Sequence, residues 1–314
     1  MYPRDLKGYG PLPPSPQWPD GARVALQFVI NYEEGGERSI LHGDRCSEAF
    51  LTEEPTRELP NLRNLNVESQ YEYGSRAGFW RLHRMFTERG LPVTVFGIAE
   101  ALEKNPEAVA AMREARWEIA CHGLRWINYA EMPREEEERH VRRAVELHTR
   151  VTGERPRGWY TGRMSPHTRR LVADEGGFLY DSDSFADDLP YWVPVGDRAQ
   201  LVVPYTLDNN DGRYLNTYGF QSESFSRYLL RALDLLRAEA DHCPKMMSVG
   251  LHTRIVGRPG RAADLARFLD EVAAADDVWV TRRVDIARHW RRVQPAEAHL
   301  PGLRDAAVSA DALV

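Results

Sequence analysis

Eight short apolar segments alternate with helical patterns along most of the chain, and no other feature constrains the fold as strongly. Buried parallel strands are short and apolar, whereas helices show apolar positions three or four residues apart. The predicted strands are residues 24–30, 92–98, 117–121, 158–161, 178–181, 201–206, 246–251 and 278–281. The predicted helices are residues 75–88, 133–149, 224–239 and 259–275, with one more between Ser165 and Gly176.

Strands that alternate with helices predict a parallel α/β fold, and a β/α barrel is the favoured architecture. An open doubly wound sheet is the alternative. A glycine-rich phosphate loop after the first strand would favour that alternative. This chain has Asn-Tyr-Glu-Glu at residues 31–34 instead, which favours the barrel.

Composition marks the two ends of a single large domain. The chain has 314 residues, and five of its prolines lie between residues 11 and 19. We expect an extended N-terminal arm at 1–22 and a barrel domain at 23–295. Residues 296–314 are rich in alanine and are predicted to form a flexible C-terminal tail.

Charge and cysteine content exclude several classes of protein. A formal net charge of −6 provides no basic surface for nucleic acid or for an anionic membrane. No apolar stretch approaches the ~18–20 residues that span a bilayer, and the N-terminus lacks the apolar core of a signal peptide. We therefore expect a cytoplasmic protein that binds neither nucleic acid nor membrane. The three cysteines, Cys46, Cys121 and Cys243, predict no disulfide framework.

Ionisable and polar residues cluster just after the predicted strands. They are Asn31, Tyr32, Glu33 and Glu34 after the first strand, His122 after the third, Tyr160 and Arg163 after the fourth, Asp183 after the fifth and His252 after the seventh. In a β/α barrel the carboxyl ends of all strands open onto one mouth, where active sites form. Each residue alone has a structural explanation, such as a core histidine, a turn cap or a surface ion pair. One shared site explains all of them together.

These residue types suit the hydrolysis of an amide bond. Two adjacent carboxylates can provide the base for water, and we expect Glu33 or Glu34 to take that role. The tetrahedral oxyanion needs donors, and His122 is expected to support it or the attacking water. The leaving nitrogen needs a proton, which His252 would give, oriented by Asp183 or by a neighbouring acid.

Five segments in the expected order resemble the motifs of the NodB-type polysaccharide deacetylases. They are residues 28–35, 121–126, 155–160, 181–183 and 249–252. In the first motif the family has two aspartates, which Glu33 and Glu34 replace here. The resemblance implies a distorted (β/α)7 barrel, in agreement with the strand pattern.

The similarity extends further to one branch of this family, the PuuE-type allantoinases. The segments that carry it are residues 31–38, 41–44, 71–76, 159–163, 187–192 and 282–290. This resemblance implies hydrolysis of the hydantoin ring amide of allantoin to give allantoate, a step of purine and urate catabolism. The expected ligand is therefore a small allantoin-like ureide.

The same motifs bear on metal binding. In the second motif of the family, two histidines four residues apart bind zinc. Here those positions are His122 and Trp126, and an indole does not ligate zinc; Glu34 is the matching acid. Because a hydrolytic zinc site takes three protein ligands, we expect no metal cofactor. Zinc remains the alternative if His42 or His252 replaces the missing ligand.

A pocket for a flat ureide needs aromatic walls and paired donors and acceptors. The aromatic candidates are Tyr32, Trp126, Trp159, Tyr160 and Trp192. The donor candidates are Arg38, Arg76 and Arg163. For any single aromatic residue, ordinary core packing is the simpler explanation.

Three classes of function remain open from the sequence. The favoured one is a metal-independent hydrolase of a cyclic ureide. The second is a zinc-dependent N-deacetylase of polysaccharide or peptidoglycan, and the third is a barrel that binds a molecule without catalysis. We expect a homo-oligomer, although one chain does not set the number of subunits. The insertion at 37–70 is long for a connecting loop and is expected to cover the site or to meet another subunit.

Overall fold

The structure is a computed structural model that describes residues 4–50, 52–53, 58–219 and 223–307. Its ten described strands are β1 (Val24–Tyr32), β2 (Val93–Gly97), β3 (Glu118–Cys121), β4 (Gly158–Trp159), β5 (Tyr180–Asp181), β6 (Tyr191–Val195), β7 (Arg198–Val202), β8 (Lys245–His252), β9 (Val278–Val280) and β10 (Arg304–Asp305). Its eleven described α-helices are α1 (Leu65–Tyr73), α2 (Phe79–Thr87), α3 (Ala99–Lys104), α4 (Pro106–Glu114), α5 (Arg134–Thr152), α6 (Thr168–Glu175), α7 (Asp211–Tyr218), α8 (Ser224–Glu239), α9 (Pro259–Ala273), α10 (Arg283–Val293) and α11 (Ala296–His299).

The strands form one curled sheet with the shape of a distorted barrel. Seven parallel strands follow the order β8-β1-β2-β3-β4-β5-β7 around it. Strand β6 adds an antiparallel hairpin to β7, while β9 pairs with the first half of β1 and β10 pairs with β7. The loop before α7 links the two ends of this order, because Asn210 bridges to Gly250 of β8. The predicted distorted (β/α)7 barrel is confirmed.

Helices cover the outer face of the sheet and enclose the main apolar core. Successive side chains of a strand point to opposite faces. Phe28, Ile30 and Tyr32 of β1 therefore point outward and pack in one cluster with helix residues such as Phe79 and Phe86. Within the described ranges, no helix combines the length and the apolar character that crossing a membrane requires.

The inward-facing residues form layers inside the barrel. An aromatic layer lies under the carboxyl ends of the strands and consists of Val29, Phe96, Ala120, Tyr160 and Tyr205. A polar layer follows, nearer the amino ends of the strands, around the buried guanidinium of Arg283. That guanidinium donates to Gln27, Ser182 and Ser248 at 2.7–3.3 Å. In the described part of the chain, these two layers fill the barrel interior below the carboxyl ends of the strands.

Strand register decides which residues meet at that end. Parallel pairing aligns the last residues of four strands, which are Tyr32, Gly97, Cys121 and Trp159. The residues that follow three of them, Glu33, His122 and Tyr160, therefore emerge at one level. On the other side of β1, His252 pairs with Asn31. The mouth residues are brought together by backbone pairing rather than by long flexible loops.

Several predicted boundaries are corrected. The strand predicted at 201–206 lies at Arg198–Val202, because it pairs with β6 in a hairpin that the apolar pattern did not reveal. The helix predicted from Ser165 begins at Thr168. The segment predicted to be a flexible tail forms α11 and β10 in its described part, 296–307, because β10 adds to the edge of β7. The arm is anchored by Trp18, which is buried.

Candidate active site

Four buried side chains meet at the mouth of the barrel and are termed the mouth cluster: Glu33, His122, His252 and Arg254. Each is at most 3% exposed. Glu33 lies at the centre, with Oε1 3.4 Å from His122 Nε2 and 3.6 Å from His252 Nε2. Its other oxygen, Oε2, lies 2.7 Å from Arg254 Nη2. Three of the predicted catalytic residues thus surround one point.

Glu33 is an ionised carboxylate. Burial alone would raise its pKa, because the charged form loses its hydration. The positive charges of Arg254 and His252 oppose that effect and hold the pKa of Glu33 well below the usual range of a glutamate. At neutral pH its two oxygens can only accept hydrogen bonds.

His252 has the opposite tendency. Burial alone would lower its pKa, but the negative charges of Asp211 and Glu33 raise the pKa of His252 to about 9. Its Nδ1–H donates to Asp211 Oδ1 at 2.6 Å, and its backbone N–H donates to Asp211 Oδ2 at 2.8 Å. Asp211 is the first residue of α7, where the helix dipole also favours a carboxylate. At neutral pH, His252 therefore has a proton on Nε2, the nitrogen that faces Glu33.

His122 is held in a defined orientation by the backbone. A carbonyl oxygen can only accept, so His122 Nδ1–H donates to the carbonyl of Tyr160 at 2.9 Å. In the neutral ring, Nε2 then has a lone pair directed at Glu33 Oε1. His122 Nε2 and Glu33 Oε1 are only 3.4 Å apart, so a water or a substrate N–H that contacts both atoms would lie beside this pair. This position is suited to a nucleophilic water.

Glu34 is not the carboxylate that faces His122, although it shares Arg254 with Glu33. The hydroxyl of Thr253 donates to Glu34 Oε1, and the backbone N–H of Glu33 donates to Glu34 Oε2 at 3.1 Å. Burial raises the pKa of Glu34, against the opposing charge of Arg254. Glu33, and not Glu34, is the carboxylate beside His122, so the predicted pair of Glu34 and His122 as metal ligands does not form.

A π-helical turn at Gly74–Gly78 joins α1 to α2 and packs closely behind Glu34. A Cβ on Gly74 would lie 2.4 Å from Glu34 Oε1, and one on Gly78 would lie 2.0 Å from the carbonyl oxygen of Thr253. Only glycine permits this approach. Single π turns of this kind are frequent at functional sites.

Asp183 does not orient His252, which corrects one of the predicted roles. Its carboxylate accepts the backbone N–H groups of Thr161 and Gly162 at 2.8–3.0 Å. Burial, together with the negative charge of Asp181, raises the pKa of Asp183 to about 6. Asp183 therefore fixes the loop after β4, and the acid that orients His252 is Asp211.

Comparison with known proteins agrees with this fold. The family model of Polysaccharide deacetylase matches residues 65–176. A Schizosaccharomyces pombe protein named "Putative polysaccharide deacetylase" is 42% identical, over 94% of this chain and 99% of the relative. The chain belongs to the polysaccharide deacetylase family. It is accordingly a hydrolase of the deacetylase type.

Two solved structures superpose closely on this polysaccharide deacetylase homologue. PuuE allantoinase has a TM-score of 0.91 and 52% identity, over 94% of this chain and 99% of that one. A Pseudomonas aeruginosa PAO1 protein described as a probable polysaccharide deacetylase has a TM-score of 0.91 and 53% identity, with the same coverage. The predicted resemblance to the PuuE branch of the family is confirmed.

Three of the predicted substrate-binding residues lie beside the mouth cluster. The ring of Tyr160 stacks on His122 with centroids 4.9 Å apart, and the ring of Trp126 lies 4.9 Å from His122 on another side. The guanidinium carbon of Arg163 lies 4.1 Å from the centroid of Trp126. Together with His122, these three side chains form a wall beside the mouth cluster.

The other five predicted substrate-binding residues lie elsewhere. Tyr32 and Trp159 are packed in apolar clusters with residues of the surrounding helices, and Trp192 belongs to a separate cluster around α10. The side chain of Arg76 is 79% exposed. Arg38 pairs with Glu58 and with Glu48, the acid that also pairs with Arg163, rather than with a member of the mouth cluster. The resemblance identified the right segments, but burial assigns these side chains to packing or to the surface.

Two members of the site were absent from the predictions. Arg254 lies two residues after His252, but β8 ends at His252 and Arg254 lies in the turn that follows, so strand alternation does not direct it toward Glu33. Asp211 lies 41 positions before its partner on the crossover between β7 and β8. No spacing rule connects it to His252, because only the fold brings them together.

The zinc site of the polysaccharide deacetylases does not fit the residues of this chain. In the parts of the chain that the structure describes, no three His, Cys, Asp or Glu side chains are arranged to hold a metal ion. Trp126 fills the position of the second histidine. His42 lies with Nε2 2.7 Å from Lys104 Nζ, and His252 directs Nδ1 to its own carboxylate partner. These residues therefore do not provide the three-ligand set that a hydrolytic zinc site uses.

Proposed function

We propose that this protein hydrolyses the hydantoin ring amide of allantoin to give allantoate, without a metal ion. The observation that carries the proposal is the central pair of the mouth cluster. An ionised Glu33 faces a protonated His252 across 3.6 Å, and their environments drive the two pKa values in opposite directions. Two titratable groups whose pKa values are shifted apart in this way can act as a base and an acid.

The attack on the ring carbonyl uses Glu33 as the base. A water beside Glu33 Oε1 and His122 Nε2, within hydrogen-bond reach of both, gives a proton to the carboxylate as its oxygen bonds to the carbonyl carbon. The pKa of Glu33 is low, so the base is weak in the free protein. The adjacent imidazole compensates by accepting a second hydrogen bond from the same water. Arg254 supplies positive charge for the developing oxyanion.

The collapse of the tetrahedral intermediate uses His252 as the acid. The carbon–nitrogen bond breaks while His252 Nε2–H protonates the departing ring nitrogen, and Asp211 stabilises the imidazolium before that transfer. The proton held by Glu33 then passes to His252 Nε2, which lies 3.6 Å from Glu33 Oε1. The net reaction adds one water across the amide, and the new carboxyl group ionises.

The similarity to PuuE allantoinase supports the choice of substrate. That protein is named as an allantoinase and is 52% identical over 94% of this chain and 99% of its own. The family as a whole suggests a second candidate, a zinc-dependent N-deacetylase, since the matching family model is named for it. Trp126 at a ligand position disfavours that candidate, because an indole does not ligate zinc.

A substrate panel tests the proposal. Purified protein is assayed on allantoin, hydantoin, dihydrouracil and N-acetylglucosamine oligomers, with and without a chelator, and its metal content is measured by mass spectrometry. We expect opening of ureide rings that chelation leaves unchanged. Deacetylation of the sugars would select the second candidate. Inertness on all four compounds would point to a non-catalytic barrel, and a stoichiometric metal needed for turnover would reject the metal-free mechanism.

A further inference from the structure

Arg163 occupies an unusual position between the insertion and the mouth cluster. Its guanidinium carbon lies 4.4 Å from the ring centroid of Phe50 on one side and 4.1 Å from that of Trp126 on the other. Its Nη1 donates to Glu48 Oε2 at 3.2 Å. Glu48 and Phe50 belong to the insertion at 37–70, so this insertion contributes directly to the walls of the site.

Several N–H groups of this wall lack partners. Among the residues with described positions, Nε and Nη2 of Arg163 and Nε1 of Trp126 are shielded from solvent and have no hydrogen-bond partner. A buried donor without a partner costs about 1–3 kcal/mol, and native proteins rarely retain several of them together without a ligand or a water. The wall is therefore equipped to donate hydrogen bonds to an acceptor.

The acceptor would lie next to the reacting bond. Trp126 contacts His122 with ring centroids 4.9 Å apart, and His122 in turn faces Glu33. A ligand whose ring amide lies at Glu33 would extend a substituent over Trp126 toward Arg163. The unpartnered donors of Arg163 and Trp126 would then lie along the part of the ligand that does not react.

The charge of the wall favours a neutral acceptor over an anion. Glu48 is fully buried and pairs with both Arg163 and Arg38, and Glu58 also pairs with Arg38, so the two positive charges are already balanced by two carboxylates. A carboxylate substituent would approach Glu48 and the ionised Glu33 of the mouth cluster. A urea carbonyl brings no charge, and it accepts two N–H donors.

We propose that Arg163 and Trp126 bind the carbonyl of a ureido arm, so that the protein selects ureido-substituted hydantoins over hydantoin itself. This rests on the proposed ring-opening function and deepens it by assigning the substrate class. Glu48 and Phe50 are positioning residues that hold the guanidinium in place. The contact of Arg163 and Trp126 with the ureido carbonyl takes no part in the chemistry at the ring amide. It orients the substrate.

Three substrates and two variants test the proposal. Allantoin has the ureido arm, hydantoin has no arm, and hydantoin-5-acetic acid has an anionic arm. Wild-type protein should show a kcat/KM for allantoin at least about tenfold above that for the other two. Arg163→Met should lower kcat/KM for allantoin about 10²-fold, mainly through KM, and lower that for hydantoin less than about threefold.

Trp126→Phe should reduce the preference for allantoin about tenfold, since it removes one donor and keeps the ring. Arg142→Met is the matched control, because Arg142 lies on the exposed face of α5 with a side chain 63% exposed. Arg163→Lys retains the charge and keeps the test available if the methionine variant does not fold.

Equal losses on allantoin and hydantoin in the Arg163 variants would overturn the proposal and leave Arg163 a structural residue. Wild-type protein that does not prefer allantoin over hydantoin would overturn it without any variant. A preference for hydantoin-5-acetic acid would also overturn it, in favour of an anion site. If the wild type opens no ureide ring, the proposed function itself fails, an outcome distinct from the other three.

Discussion

Two buried arginines, Arg254 in the mouth and Arg283 in the polar layer below, show how differently the same side chain is used in the two regions. The guanidinium of Arg283 donates to two serine hydroxyls, a glutamine carbonyl and two backbone carbonyls. The guanidinium of Arg254 lies 2.7 Å from Glu33 and 3.6 Å from Glu34, yet none of its nitrogens has a hydrogen bond of good geometry within the described ranges.

The difference separates a structural region from a functional one. Around Arg283 every donor is matched, so the layer fixes one packing of the barrel and has no capacity for a ligand. Around Arg254 the carboxylates of Glu33 and Glu34 are held by charge, and the guanidinium nitrogens can still donate hydrogen bonds. Catalytic sites keep such unsatisfied, pre-oriented groups at the expense of stability, because the transition state is what they are arranged to match.

The largest expected effect comes from the central carboxylate of the mouth. Glu33→Gln should lower kcat for ring opening about 10³-fold, because an amide cannot accept the proton of water. Glu34→Gln should lower it by less than about tenfold, since Glu34 faces Thr253 and the π-helical turn rather than His122. Steady-state kinetics on allantoin measure both. An equal loss in the two variants would mean that the mouth is not organised around Glu33.

Removing Arg254 should change the pH dependence as well as the rate. Arg254→Met should lower kcat/KM at neutral pH about 10²-fold, the range for one group of electrostatic stabilisation. The positive charge holds the pKa of Glu33 low, so its loss raises that pKa and moves the acid limb of the pH–rate profile to higher pH. An acid limb that stays in place would show that Arg254 does not control the ionisation of Glu33.

Arg283→Met should have the complementary effect. It leaves five acceptors of the polar layer without a donor, so the free energy of unfolding should fall by about 3 kcal/mol or more. The pH dependence of kcat/KM should not shift in the protein that remains folded. Denaturant unfolding followed by circular dichroism gives the first quantity and pH–rate profiles the second. A shifted pH–rate profile with unchanged stability would mean that Arg283 acts in the reaction rather than in the stability of the fold.

The sequence reveals the parts of this molecule that depend on local patterns. Short apolar strands alternating with helices indicated the barrel, and residues placed directly after strands indicated the mouth, as with Glu33, His122 and His252. The motif resemblance added the family and its PuuE branch. These patterns were sufficient because the carboxyl ends of the strands in a parallel barrel converge whatever the conformation of the loops.

The parts that depend on long-range packing were not visible. Asp183 was a reasonable partner for His252 by motif position, yet Asp211 takes that role from a crossover whose path the sequence does not define. Trp159 and Trp192 are aromatic residues in segments that the motif resemblance identified. The strand pleat and the helix packing direct their side chains into the core. The chemical type of a residue can be read from the sequence, whereas the direction of its side chain depends on the folded backbone.

Asp211 provides a sharper test of the mouth through the alkaline limb. The pKa of His252 is raised to about 9, so kcat/KM should fall as pH rises through that value and the acid loses its proton. Asp211→Asn removes the largest charge that raises this pKa, so the alkaline limb should move to lower pH and activity at neutral pH should fall about tenfold. An unchanged alkaline limb would remove His252 as the general acid.

The smallest expected effect concerns Arg76, which the motif resemblance placed among the donors with Arg163. Its side chain is 79% exposed, and its described ion pair is with Glu72 at 3.9 Å, an exposed interaction worth little. Arg76→Ala should therefore leave kcat/KM for allantoin within about twofold of wild type and leave thermal stability nearly unchanged. A large loss of activity would mean that α1, α2 and the π-helical turn between them move over the mouth during turnover. The contrast between the two regions would then extend to a third, mobile one.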